Sequence, residues 1–299
     1  LWASDQLEHG WHEVGHVQMG TDDLGYMVEC PNLITVDGRQ VMIFCPQGLD
    51  HQTASYDNIY PDMYLTAEGF DYDAPAMITP DAQMQNLDDG FDVYATQAMN
   101  TEDGKAYAIS WVGLPDLTYP TDDQNWANCM SQVKELHFRD GQLYQTPVAA
   151  MRDLRQTDQA QTLDGQVELI NSEAGQQFEL AATIKADQVG TLHLAAKADL
   201  SKSVAVNFDT KAGKLTIDRG HTDQPTGVEY GTTRTLDLPA HQALKLDIFF
   251  DHSLVEVFVN DGTNVMTLRY FNSQAYRILV FDRPVDMTGT YWPLSNVKK

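Results

Sequence analysis

The sequence predicts an all-β protein in two units. The first is a set of irregular four-stranded sheets with long loops between them, in the manner of β-propeller blades. The second is an antiparallel β-sandwich. Three observations carry this. Short apolar runs are punctuated by six Asp-Gly pairs, at 37–38, 89–90, 103–104, 140–141, 164–165 and 261–262, and both residue types tolerate the left-handed backbone of tight hairpin turns. Charge shifts near residue 150: residues 1–150 hold 24 acids and 4 bases, a net of −20, whereas 151–299 hold 19 acids and 15 bases, a net of −4. The second half alternates apolar and polar residues cleanly, and helical periodicity is scarce throughout.

Taken in order, Leu33–Val36 and Val41–Phe44 flank the first Asp-Gly pair as a hairpin. Tyr94–Met99 with Ala106–Trp111, and Leu136–Phe138 with Leu143–Tyr144, flank two more. Pro- and Asp-rich loops at 45–57 and 113–128 separate them, as between propeller blades. Pro147–Leu154 reads as a short helical connector, so the domain expectation is blades over 1–150, a linker over 151–162 and a sandwich over 163–299. In the sandwich, Phe178, Leu180 and Ile184 share one face, as do Leu215 with Ile217, and Leu244, Leu246 and Ile248. Val255, Val257 and Val259 run into Asn260-Asp261-Gly262, and Val265–Leu268 runs back.

Composition excludes several functions. A net charge of −24 disfavours nucleic acid, whose phosphates need clustered Lys and Arg, and disfavours anionic membranes. No apolar run is long enough to span a bilayer. The three cysteines, Cys30, Cys45 and Cys129, make no even disulfide framework and no CxxC pair, which fits a reducing, cytoplasmic setting. His9, His12 and His16 would need a helix to converge on a metal, but Gly10 and Gly15 interrupt it. Asp71-Tyr72-Asp73 lacks the glycine and distal glutamate of a calcium loop. No metal and no cofactor is expected.

Among 43 acids, Glu29 stands out by context. It sits in Tyr26-Met27-Val28-Glu29-Cys30-Pro31-Asn32-Leu33, where apolar neighbours partly desolvate it and nearby acids repel its charge. Both effects favour the protonated carboxyl that a general acid needs near neutral pH.

Glu29-Cys30-Pro31-Asn32-Leu33, followed by Phe44-Cys45-Pro46-Gln47-Gly48, resembles glycoside hydrolase family 32, the β-fructofuranosidases. Asp88-Asp89-Gly90-Phe91-Asp92-Val93-Tyr94-Ala95 is similar to that family's Asp-x-Gly-Phe-Asp-Phe-Tyr-Ala segment. Ser110–Pro115 with Tyr119–Asp122, and Asp251–Gly262 in the sandwich, extend the likeness over nearly the whole chain, 4–283. The resemblance implies a partial five-bladed β-propeller, about three blades, joined to the sandwich. It implies cleavage of β-fructosides with retention, by two carboxylates. Glu29 matches the acid/base, Asp88 and Trp111 match positions lining the fructose pocket, and Cys30 and Tyr94 stand behind them. Gln47 and Asp92 match more weakly.

The family's nucleophile lies in Asn-Asp-Pro-Asn-Gly and its transition-state-stabilising aspartate in Arg-Asp-Pro, and neither motif occurs here. The expectation is a downstream portion that is inactive alone, with an exposed strand edge awaiting the preceding propeller segment or a second copy. Val28 stands where a Trp is usual, and Val133-Lys134 where Pro-Arg is common. The implied substrate is sucrose 6-phosphate. The four bases of the first half, Arg39, Lys105, Lys134 and Arg139, favour neutral sucrose unless one of them clamps a phosphate. A non-catalytic carbohydrate-binding or scaffold protein of the same fold is the alternative.

Overall fold

Four of the six Asp-Gly pairs turn chains back on themselves. Asp37 and Gly38 adopt positive φ of 46° and 85° between the strands Met27–Val36 and Arg39–Gln47. That is the backbone a two-residue hairpin demands. In the computed structural model, which describes residues 1–50, 54–81, 83–171, 176–273 and 275–295 (168–171 by backbone alone), this hairpin continues into Met63–Asp71 and Ala76–Pro80 as one antiparallel sheet. Residues 51–53 of the expected 45–57 loop and 296–299 of the expected sandwich lie outside the described residues. A second sheet follows: Val93–Asn100, Ala106–Val112, Lys134–Arg139 and Gln142–Pro147, and a two-residue fifth strand joins each sheet, Gln85–Asn86 the first and Cys129–Met130 the second. Trp2–Ala3 and His12–Glu13 form a separate two-stranded piece. About three blade-like units were expected; among the described residues there are two complete sheets and this hairpin.

The expected connector forms a 3-10 turn, Ala149–Leu154, and beyond it lies a continuous ten-stranded antiparallel sheet. It makes two layers because the strand Ile278–Pro293 serves both. Residues 278–281 pair with Val189–Ala196, and residues 287–293 pair with Phe178–Ile184. The faces read from sequence are the buried ones: Phe178, Leu180, Ile184, Leu215, Ile217, Leu246, Ile248, Val255, Val257 and Val259 all belong to one core cluster. No helix among the described residues is long and apolar enough to cross a membrane.

The two units are joined by the Asp88–Asp92 segment, which runs along Asn264–Arg269, the last strand in the sandwich order. Asp89 N donates to Val265 O and Phe91 N to Thr267 O, both at 2.8 Å. Asp88 accepts from Thr267 N at 3.0 Å and Oγ1 at 2.6 Å, and Asp92 accepts from Arg269 N at 2.7 Å. An edge strand is thereby covered by the other unit. At Gly90 a Cβ would stand 2.2 Å from Thr267 O, so this Asp-Gly pair serves close approach rather than a hairpin. Asp164-Gly165 also makes no turn; it lies within the strand Gln161–Asn171. Phe91 is buried in the sandwich core, with the Arg219 and Arg234 guanidiniums 4.3 and 4.4 Å from its ring centre. Two buried ion pairs cross the same junction, Asp92 with Arg219 and Lys134 with Glu256.

Candidate active site

Glu29 and Tyr94 occupy corresponding places in the two five-stranded sheets. Each lies on the first strand of its sheet, and each immediately precedes a non-glycine residue at positive φ, Cys30 (48°) and Ala95 (52°). Register shifts follow both, between Glu29 and Asn32 and between Tyr94 and Gln97. Such bulges bend a strand and re-aim a side chain. Asn32 sews the two together: its Nδ2 donates to Cys30 O at 2.7 Å and Thr96 O at 2.8 Å, while its Oδ1 accepts from Ala98 N at 2.9 Å.

The result is a carboxylate held at one oxygen. Tyr94 OH donates to Glu29 Oε2 at 2.8 Å, and Gln47 Nε2 donates to the same oxygen at 3.0 Å. Gln47 Nε2 also donates to Tyr94 OH at 3.0 Å, closing a triangle. Gln47 reaches Glu29 because Met27 is its cross-strand partner and Glu29 lies two residues on, a diagonal neighbour on one face. Glu29 is half-buried and its Oε1 carries no bond of this set. A carboxyl fixed at one oxygen leaves the other to meet a substrate.

Aromatic side chains wall this group. Trp111 is the cross-strand partner of Tyr94, with ring centres 6.2 Å apart and nearly edge-on. Tyr60 meets Tyr94 at 5.9 Å, and Tyr26 OH donates to Gln47 Oε1 at 3.3 Å. Cys30 and the buried Cys45 pack behind Tyr94 with Leu114. Burial pushes the Cys30 thiol up from its ordinary range, with the Glu29 charge adding to it, so Cys30 stays a neutral thiol. Tyr94 is likewise pushed up by burial. Its phenol remains a donor at any pH of interest.

Sequence reasoning thus named Glu29, Gln47, Tyr94, Trp111 and Cys30, and the structure brings them together. The bonds of Asp88 and Asp92 run elsewhere: Asp88 accepts from Gly90 N and from Thr267 of the sandwich, and Asp92 from Arg219 and Arg269 N of the sandwich and from Tyr119 OH of the first unit. Burial raises the Asp88 pKa to about 7. The four bases of the first half are engaged elsewhere, Arg39 with Asp81, Lys105 with Glu135, Lys134 with Glu256 and Arg139 over Tyr144. Asp62 escaped notice in the sequence; it is buried beneath Tyr94's bulge, and its only signal was an acid opening the apolar run Met63-Tyr64-Leu65. His9, His12 and His16 are exposed, and Asp71 Oδ1 accepts the Asp73 and Ala74 amides of a turn. The described residues contain no group of three potential metal ligands.

A half-buried glutamate clamped by a tyrosine and an amide, with an indole packed on that tyrosine, is the candidate catalytic group of this all-β chain. The sequence matches the glycosyl hydrolases family 32 N-terminal domain over residues 1–147 and the family 32 C-terminal domain over 148–291, and the chain belongs to that family. It is 43% identical over 283 residues to a sucrose-6-phosphate hydrolase of Pediococcus pentosaceus, covering 94% of this chain and 56% of that protein. The structure of sucrose-6-phosphate hydrolase from Lactobacillus gasseri superposes with a TM-score of 0.95 at 48% identity, over 99% of this chain and 60% of that one. A Bombyx mori family 32 β-fructofuranosidase shares the fold, with a TM-score of 0.78 at 24% identity. The chain spans less than two thirds of the length of these relatives.

Proposed function

We propose that these residues supply the acid/base half of a β-fructoside-cleaving active site of the retaining type. The two five-stranded sheets are read as blades of a five-bladed propeller, and Glu29 as the group that protonates the departing oxygen and then activates water. The observation that carries this is the Glu29 Oε2 clamp by Tyr94 and Gln47 beside Trp111. Trp111 is the apolar wall for the sugar ring, and Tyr94, Gln47 and Cys30 orient the acid. Asp88 and Asp92 are read as junction residues, because their carboxylates already hold sandwich donors.

A retaining reaction needs a second carboxylate as nucleophile. The Asn-Asp-Pro-Asn-Gly and Arg-Asp-Pro segments that hold the family's nucleophile and stabilising aspartate do not occur in this sequence, so residues 1–299 alone are proposed to be inactive. The exposed side chains Trp2, Leu7, Trp11 and Tyr26 offer surface to a preceding propeller segment or a second copy. The names of the relatives favour a sucrose 6-phosphate substrate, whereas the engagement of all four first-half bases favours neutral sucrose. Three free thiols fit a cytoplasmic site of action. The test is fructose release from both sugars by this chain supplied with a family 32 segment that carries the nucleophile, and by its Glu29→Gln variant. Release that is abolished in the variant supports the reading; an unaffected variant removes Glu29 from the chemistry, and a folded, supplemented chain that releases no fructose from either sugar makes the fold a binder.

A further inference from the structure

Tyr94 can serve Glu29 only because its strand is bent at that point. In a regular strand successive side chains alternate between faces, but here the register slips between Tyr94 and Gln97 and Ala95 takes φ 52°. Left-handed backbone at a residue with a Cβ is unfavourable and persists only where surrounding groups fix it. Three groups do so. Ala95 N donates to Cys45 Sγ at 3.2 Å. Thr96 O accepts from Asn32, on the strand of Glu29. Thr96 N at 3.2 Å and Thr96 Oγ1 at 2.5 Å both donate to one oxygen, Asp62 Oδ2.

Asp62 is 4% exposed, and its other oxygen, Oδ1, has no hydrogen-bond partner among the described residues. Burying a carboxylate is costly unless it is well paired. The bonds that the structure gives this one are those to the bulge, together with the neighbouring Cys45 thiol. Lys134, whose charge acts on it, is committed to Glu256. A costly group kept at this place, with its bonds spent on residue 96, has its use there.

We propose that Asp62 is a positioning residue for the acid: it pins the Tyr94–Thr96 bulge and so aims the Tyr94 hydroxyl at Glu29 Oε2. It touches neither Glu29 nor the sugar and acts through Tyr94. The inference rests on Glu29 being the acid/base. Loss of Asp62 frees the bulge, and Tyr94 no longer holds Glu29 Oε2.

The experiment compares Asp62→Ala, Asp62→Asn, Tyr94→Phe and the Asp62→Ala/Tyr94→Phe pair in this chain supplied with a family 32 segment that carries the nucleophile, reading kcat/KM for fructose release. Asp62→Ala is expected to lose about tenfold, the order of one charge-assisted hydrogen bond. Asp62→Asn keeps an oxygen for Thr96 N–H and is expected to restore most of that loss. The double variant is expected to match Tyr94→Phe alone, because contacts within one network do not add. If the two single losses multiply, or Asp62→Asn is as impaired as Asp62→Ala, the inference is overturned. Should Asp62→Ala fail to fold, Thr96→Val removes the hydroxyl bond from the other side, and its loss must likewise vanish in the Tyr94→Phe background. A Glu29→Gln variant that keeps full activity defeats the functional reading itself. An inactive Glu29→Gln with multiplicative Asp62 and Tyr94 effects defeats this inference alone.

Discussion

Removing the Asp92 carboxylate should uncouple the two units of the chain. Asp92 is 0% exposed and pairs with Arg219, itself 2% exposed. The same carboxylate takes Arg269 N at 2.7 Å and Tyr119 OH at 3.1 Å. Asp92→Ala leaves a buried guanidinium unpaired beside Phe91, and its Nε already lacks a partner among the described residues. Breaking a buried pair from one side costs about 3–5 kcal/mol, and an orphaned backbone N–H adds to it, so about 4 kcal/mol is a fair expectation. For a domain of this size that lowers the melting temperature by about 10 °C. Replacing both partners, as Asp92→Leu with Arg219→Met, removes the unpaired charge along with the pair and should recover all but ~1–2 kcal/mol. The assay is thermal unfolding followed by tryptophan fluorescence and circular dichroism. If Asp92→Ala melts within about 2 °C of its parent, a shift worth less than ~1 kcal/mol, the junction is not held this way.

Three further outcomes follow from the same geometry. Tyr94→Phe should lower kcat/KM about tenfold with little change in melting, because it removes one charge-assisted bond and fills the same volume. Gly262→Ala should destabilise strongly: its φ is +89° and a Cβ would stand 2.0 Å from Gln145 O, so the melting temperature falls and the two units separate under limited proteolysis. Burial, with the Glu179 charge beside it, raises Asp247 from 3.8 to about 8. Its folded form therefore holds a proton that the unfolded chain gives up, and stability drains away as pH rises between about 4 and 8. Urea titrations at pH 5.5 and 8 should show Asp247→Asn gaining on its parent at the higher pH; parallel curves would contradict the sign.

Much of this architecture was legible because the chemistry that makes it is local. Asn260-Asp261-Gly262 between the alternating valines 255, 257 and 259 and the run Val265-Met266-Thr267-Leu268 dictates a hairpin whatever surrounds it, and the strands Leu254–Val259 and Asn264–Arg269 form it. Glu29 was legible as an acid among apolar residues, and Gln47 and Tyr94 lay in segments that accompany it. What sequence order does not carry is the side toward which a carboxylate points. Asp88 and Asp92 lie in one segment with Tyr94, yet they lean onto the sandwich while Tyr94 leans onto Glu29, because the segment first runs along Asn264–Arg269 and then enters its own sheet. Lys134 was weighed as a phosphate clamp; its partner Glu256 is 122 residues away, a distance no spacing rule spans. Asp62 was missed for the same reason, since its role depends on Thr96 in another sheet.

The central claim is that Glu29 hands a proton to the departing oxygen, and dependence on the leaving group tests it most directly. In this chain supplied with a family 32 segment that carries the nucleophile, Glu29→Gln should lose at least about a hundredfold in kcat/KM on sucrose or its 6-phosphate, whose sugar alkoxide needs protonation. On fructosyl fluoride, which departs without a proton, the variant should form the glycosyl-enzyme nearly as fast as its parent. Equal losses on both substrates, or no loss on either, would contradict the assignment.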